Sequence, residues 1–84
     1  MIDSETPLNA SSRVILYTRQ NCHLCEDAKL LLEAQGLVVE SVDIDANPDL
    51  RARYDTWVPV VEIDGRIRFK GKVDPLLLRR IIGR

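Results

Sequence analysis

Val14-Ile15-Leu16-Tyr17-Thr18-Arg19-Gln20-Asn21-Cys22-His23-Leu24-Cys25 is the stretch on which the reading of this chain turns. Its first half is a short apolar, β-branched run bounded by polar Arg19-Gln20-Asn21, which reads as a strand buried on both faces. Its second half opens a helical pattern from about Cys22. Cys25, Ala28, Leu31, Leu32 and Gln35 outline the inner face, with Asn21 as the expected N-cap. Positions i and i+3 share a helix face, so the two thiols, the only cysteines of the chain, can meet without backbone rearrangement. A helix start also brings partial positive charge and unpaired N–H groups to the first sulfur, favouring thiolate over thiol. A dithiol so placed can open and close a disulfide. Cys22, at the exposed helix start, is the expected nucleophile, and Cys25, one turn inside, the resolving thiol.

Outward from this stretch, Gly36 stands where a left-handed helix terminator belongs, and Leu37 to Ile44 reads as a second strand. Two strands joined by a helix of this length predict a right-handed βαβ unit with parallel strands. Asn47-Pro48-Asp49 combines a cap, a first-turn proline and an acidic residue, predicting a short helix to about Tyr54. Val58 to Ile63 is a strand, Asp64-Gly65 a hairpin turn, and Arg66 to Lys70 an antiparallel return. Gly71 breaks the run. Asp74-Pro75 then opens a last helix with the apolar stripe Leu77, Leu78, Ile81 and Ile82, and Asp74 is most simply its N-cap. The element order is β-α-β-α-β-β-α.

Eighty-four residues, 45% of them apolar, are enough for one small domain with one core. Residues 1–12 are polar and without periodicity and read as a mobile tail, leaving residues 13–84 as the folded domain. The net charge of −1 points to neither nucleic acid nor an anionic membrane surface. No apolar run approaches the roughly 20 residues of a membrane span, and the N-terminus has no signal-peptide pattern, so a cytoplasmic location is expected. Two cysteines cannot form a stapling framework, and Cys22, Cys25 and His23 fall short of the about four ligands of a zinc site. No metal ligands are assigned.

These features resemble the glutaredoxin-like group of the thioredoxin-fold proteins. The similarity rests on the CxxC opening the first helix, the basic residue three before the first cysteine in Tyr17-Thr18-Arg19-Gln20-Asn21-Cys22, the Val58-Pro59 pair, the hairpin, and the glycine near the last helix cap. The resemblance implies a four-stranded mixed sheet in the order 2-1-3-4, flanked by helices, and a thiol–disulfide oxidoreductase. It implies a cis bond at Pro59, with the backbone of Val58 beside the cysteines for an extended substrate to pair with. Trp57, Val58 and Pro59 would then line a substrate groove, while Arg19, Gly71 and Asp74 would contact a small thiol, with Lys70 and Lys72 extending a basic rim. His23 would tune the thiolate.

The chain also departs from the group. It has Cys22-His23-Leu24-Cys25 for Cys-Pro-Tyr-Cys, Trp57-Val58-Pro59 for Thr-Val-Pro, and Lys70-Gly71-Lys72-Val73-Asp74 where a Gly-Gly pair precedes an acidic residue. Expected partners are a disulfide-bearing protein or a small thiol substrate. Electrons would come from glutathione or a thioredoxin reductase system; glutathione is the leading candidate co-substrate, and no tightly bound cofactor is required. A monomer is expected. The competing readings are iron–sulfur carriage, with one cysteine per subunit and glutathione completing the ligands, and a redox-sensing module without turnover.

Overall fold

The computed structural model describes residues 13–82; the tail assigned to residues 1–12 lies outside them. Four strands, β1 (Val14–Thr18), β2 (Val39–Asp43), β3 (Val60–Ile63) and β4 (Arg66–Lys70), form one sheet in the order β2-β1-β3-β4. Three helices, α1 (His23–Ala34), α2 (Pro48–Tyr54) and α3 (Pro75–Ile81), complete the chain, with a 3₁₀ turn at Ile44–Ala46 before α2. β1 runs parallel to β2 and antiparallel to β3, and β4 returns antiparallel to β3, so the sheet is mixed as expected.

Alternation along the strands sorts side chains between two cores. Val14 and Leu16 of β1 with Val61 and Ile63 of β3 pack against Ala28 and Leu32 of α1 and Leu78 and Ile82 of the α3 segment. On the opposite face Val60 meets Ile44 and Tyr54, with Tyr17, Leu50 and Val58 packed around them. Both helical layers are therefore anchored on β1 and β3, the two central strands.

Local signals set most boundaries. α1 stops in a Schellman arrangement. The Gly36 N–H donates to the Glu33 carbonyl and the Leu37 N–H to that of Leu32, with Gly36 at φ 83°. Asn47 caps α2 and Asp74 caps α3, each through its side-chain oxygen and each followed by proline. Asp64 and Gly65 both take positive φ (50° and 86°), as a two-residue hairpin of the right twist requires.

Four expectations need correction. The N-cap of α1 is Cys22, not Asn21, which takes a left-handed φ of 59° in the turn before it. β2 begins at Val39, because Leu37 is drawn into the helix terminator, and it ends at Asp43, because Ile44 enters the 3₁₀ turn. β3 begins at Val60, after the proline, since Pro59 has no N–H for the ladder. Leu77 lies outside the core, 42% exposed, and α3 is held by Leu78 and Ile82.

Candidate functional site

The Tyr17–Val60 and Val60–Lys70 pairs place the loops that follow β1 and β4 at the same end of the sheet as the loop that precedes β3. Residues 19–22, 57–59 and 71–74 leave the sheet from that end. Pro59 and Gly71 are joined directly, the Gly71 N–H donating to the Pro59 carbonyl at 2.8 Å. The topology thus brings Arg19, Cys22, Trp57, Val58, Pro59, Gly71 and Asp74 to one end of the sheet, with His23 and Cys25 following in the first turn of α1.

Cys22 sits in extended backbone (φ −111°, ψ 103°) as the last residue before α1. Its carbonyl accepts the Glu26 N–H, and its sulfur accepts the Cys25 N–H at 3.1 Å. A sulfur in the capping position takes up one of the donors that a helix start leaves unpaired, and such a donor stabilises a thiolate more than a thiol. Cys22 is half-buried and Cys25 is 2% exposed. The two stand at disulfide distance, with their Cα atoms 5.2 Å apart, inside the range a disulfide spans. His23 and Leu24 between them are exposed.

Across the site, the Val58–Pro59 peptide bond is cis. Pro59 is fully buried, Val58 is half-buried on the α2 core, and Trp57 is 54% exposed. The Trp57 N–H donates to the Tyr54 carbonyl, and the Lys70 ammonium lies 5.4 Å from the centre of the indole ring, within cation–π range. Gly71 has φ 83°, and a Cβ there would meet nothing within 4 Å, so its backbone angle and not crowding calls for glycine. The Asp74 carboxylate accepts the Leu76 and Leu77 N–H groups as the α3 cap.

Arg19 is placed differently from the expected free rim residue. Its guanidinium meets Asp45 through Nε at 3.0 Å and Nη2 at 2.9 Å, and Asp55 through Nη1 at 2.7 Å. Nη1 also donates to the Asp55 carbonyl. Donating these hydrogen bonds to Asp45 raises the Arg19 pKa further, and accepting them holds the Asp45 carboxyl below its usual range. Arg19 therefore ties the loop before Cys22 to both ends of the α2 segment. Asp45 and Asp55 were missed from sequence because they stand 26 and 36 residues away, with no periodic signal linking them to Arg19. Leu24, exposed between the cysteines, borders a cleft with Asp27, Leu31, Lys72 and Val73. No three His, Cys, Asp or Glu side chains among the described residues converge to hold a metal ion.

With this geometry in hand, the chain matches the Glutaredoxin-like domain (DUF836) over residues 13–83. It is 38% identical over 52 residues to the glutaredoxin-like protein NrdH of Salmonella typhimurium, covering 57% of this chain and 64% of that one, which is less than two thirds of its length. A Mycobacterium bovis protein, Mb0520, is 35% identical over 81 residues, covering 86% of this chain and 84% of its own. Among solved structures, protein XcR50 of X. campestris superposes with a TM-score of 0.70 at 35% identity, covering 80% of this chain and 91% of that one. The NrdH-redoxin of Escherichia coli, a glutaredoxin-like protein described as having a thioredoxin-like activity profile, gives a TM-score of 0.64 at 27% identity. That match covers 82% of this chain and 93% of the other.

Proposed function

We propose that this chain, which belongs to the Glutaredoxin-like domain (DUF836) family, is a thiol–disulfide oxidoreductase that cycles the Cys22–Cys25 pair between dithiol and disulfide. One observation carries the reading: the half-buried Cys22 sulfur caps α1 and accepts the Cys25 N–H, with the second thiol buried one turn away. In the reducing direction the Cys22 thiolate attacks one sulfur of a substrate disulfide, forming a mixed disulfide and releasing the other sulfur as a thiolate, which takes up a proton. Cys25 loses its proton, attacks the Cys22 sulfur and releases the second substrate thiol. The substrate gains two electrons and two protons, and the protein is left with its disulfide. Exposed His23 beside Cys22 can carry the proton exchanged in these steps.

The donor that fits best is a dithiol reductase of the thioredoxin reductase type. Arg19, the cation nearest in sequence to Cys22, is occupied by Asp45 and Asp55, and the Asp74 carboxylate is engaged in capping α3. Arg19 is thus not left free for a charged end of glutathione, and Asp74 already commits one carboxylate oxygen to the helix cap. The thioredoxin-like profile described for the E. coli NrdH-redoxin points the same way. Val58 and Trp57 would receive an extended substrate segment, with buried Pro59 shaping the groove.

The test is turnover of a small disulfide coupled either to glutathione and its reductase or to a thioredoxin reductase. Turnover is expected with the second system, lost in Cys22→Ser. Cys25→Ser is expected to accumulate a mixed disulfide with substrate, visible by mass spectrometry. Activity that survives Cys22→Ser would remove Cys22 from the role of nucleophile, and turnover confined to glutathione would overturn the choice of donor.

A further inference from the structure

The overall charge of −1 conceals a sharp division along the chain. Residues 1–64 hold twelve Asp and Glu against five Lys and Arg, whereas residues 65–84 hold seven Lys and Arg against a single acidic residue, Asp74. Asp74 is engaged as the α3 cap. Most of the second group lies on β4 and α3, whose Phe69 and Leu78 both enter the core formed with β1, β3 and α1. β4 is an edge strand, and α3 runs back from the end of the sheet that carries the cysteines.

Arg66, Arg68, Lys70 and Lys72 are exposed on and just beyond β4, as are Arg79 and Arg80 in the last turn of α3. None of the six forms an ion pair with another described residue, in contrast to Arg13 and Arg19, which pair with Glu40, Asp45 and Asp55. Charged residues on an edge strand do blunt it against pairing with other chains. That role accounts for Arg66 and Arg68, but not for Lys72 or for two adjacent arginines on a helix. The run is also continuous with the redox centre. Lys70 rests on Trp57, Gly71 bonds Pro59, and Lys72 shares a cleft with Leu24 from between the cysteines.

We infer that the β4–α3 edge is a docking surface for an acidic protein partner, which it steers so that the partner's disulfide meets Cys22. The inference rests on the oxidoreductase reading above and adds the class of substrate. Charge complementarity decides the occupant: apart from the capping Asp74, the described charged residues of this edge are all basic, form no ion pair with another described residue, and reach the cleft that Lys72 shares with Leu24. A single-stranded nucleic acid fits less well, because bases need free ring faces to stack on: Phe69, the aromatic residue of this unit, is buried, and neighbouring Trp57 already carries the Lys70 ammonium over its ring. Exposed Ile67, Leu76 and Leu77 among the charges suit a protein surface.

The experiment uses the full chain, reduced and freed of reductant, in single-turnover reactions with three synthetic peptides. Each carries an intramolecular disulfide and a tail of about eight residues, of Glu, of Lys or of Ser and Gly, long enough at about 3.4 Å per residue to lie along β4. At an ionic strength of about 20 mM the Glu-tailed peptide is expected to be reduced at least about tenfold faster than the Lys-tailed one, and the two should converge near 0.5 M salt. The double variant Arg66→Glu/Arg68→Glu is expected to level or reverse that order while reducing the Ser/Gly peptide at the unaltered rate. Equal rates for Glu and Lys tails at low salt, or a preference that the double variant leaves intact, overturns the docking surface. Tight binding of a labelled single-stranded oligonucleotide without discrimination among the peptides also overturns it. Failure to reduce even the Ser/Gly peptide would instead defeat the oxidoreductase reading, so the two failures are distinguishable.

Discussion

Tyr17 illustrates how a single residue near the site is bound into structure and not chemistry. Its hydroxyl donates to Glu62 at 3.0 Å, and its ring lies 4.9 Å from that of Tyr54. Burial, then the hydrogen bond and charge of Glu62, push its pKa up to about 12. The folded state therefore favours the protonated phenol more than the unfolded chain does. The stability this provides is complete below about pH 10, the ordinary tyrosine value, and is lost as pH rises through the folded value. Wild-type protein is expected to lose stability between about pH 10 and 12, and Tyr17→Phe to lose less over that window, as read from urea midpoints at pH 9 and near the upper limit. Equal losses in the two proteins would show that this hydroxyl does not control the alkaline limit. Asn21 and Cys22 teach a related lesson. Asn is a common N-cap, but it also tolerates left-handed φ, and here that second property prevails while a cysteine sulfur takes the cap.

At the level of elements, short helices depend on their ends. α3 has seven residues, far below the length at which a helix persists alone, so its cap and its buried Leu78 must hold it. Asp74→Ala removes the acceptor of two backbone N–H groups and is expected to cost about 0.5–2 kcal/mol in urea unfolding. Asp74→Asn keeps a capping oxygen and should retain most of that stability. If both variants lost the same amount, the carboxylate charge and not the cap would be the stabilising feature. This element was legible in advance because Asp74-Pro75 and the following leucines are local signals. The edges of β2 and β3 were less so. Leu37 serves the α1 terminator and Pro59 withdraws from the ladder for want of an N–H. Both causes are local, but an apolar run alone does not show which residue joins the terminator and which opens the strand.

Over the whole molecule, stability rests on the two central strands and the helices packed on each face. Leu32 of α1 is wholly buried among residues of β1, β3 and the α3 segment, whereas Leu30, two positions away, is 66% exposed. Leu32→Ala is expected to cost about 2–5 kcal/mol, a large share of the stability of so small a domain, while Leu30→Ala should stay within about 0.5 kcal/mol. Similar losses would mean that α1 does not pack by this face. The stretch from Val14 to Cys25 determined on its own that a buried strand feeds a helix opening at a pair of cysteines close enough to meet, since periodicity and three-residue spacing are local properties. That Cys22 caps the helix and does not lie within it was set by the left-handed turn at Asn21. The hairpin and the element order were equally local. Arg19 was read as free to meet an anionic thiol, and it is instead held by Asp45 and Asp55, which approach it only once α2 has folded back across the sheet. The setting of the cysteines likewise required the completed sheet, because pairing β1 with β3, and β3 with β4, brings Pro59, Lys70 and Lys72 to the same end. Contacts between distant segments are set by how elements pack, and one chain read in order carries no direct record of them.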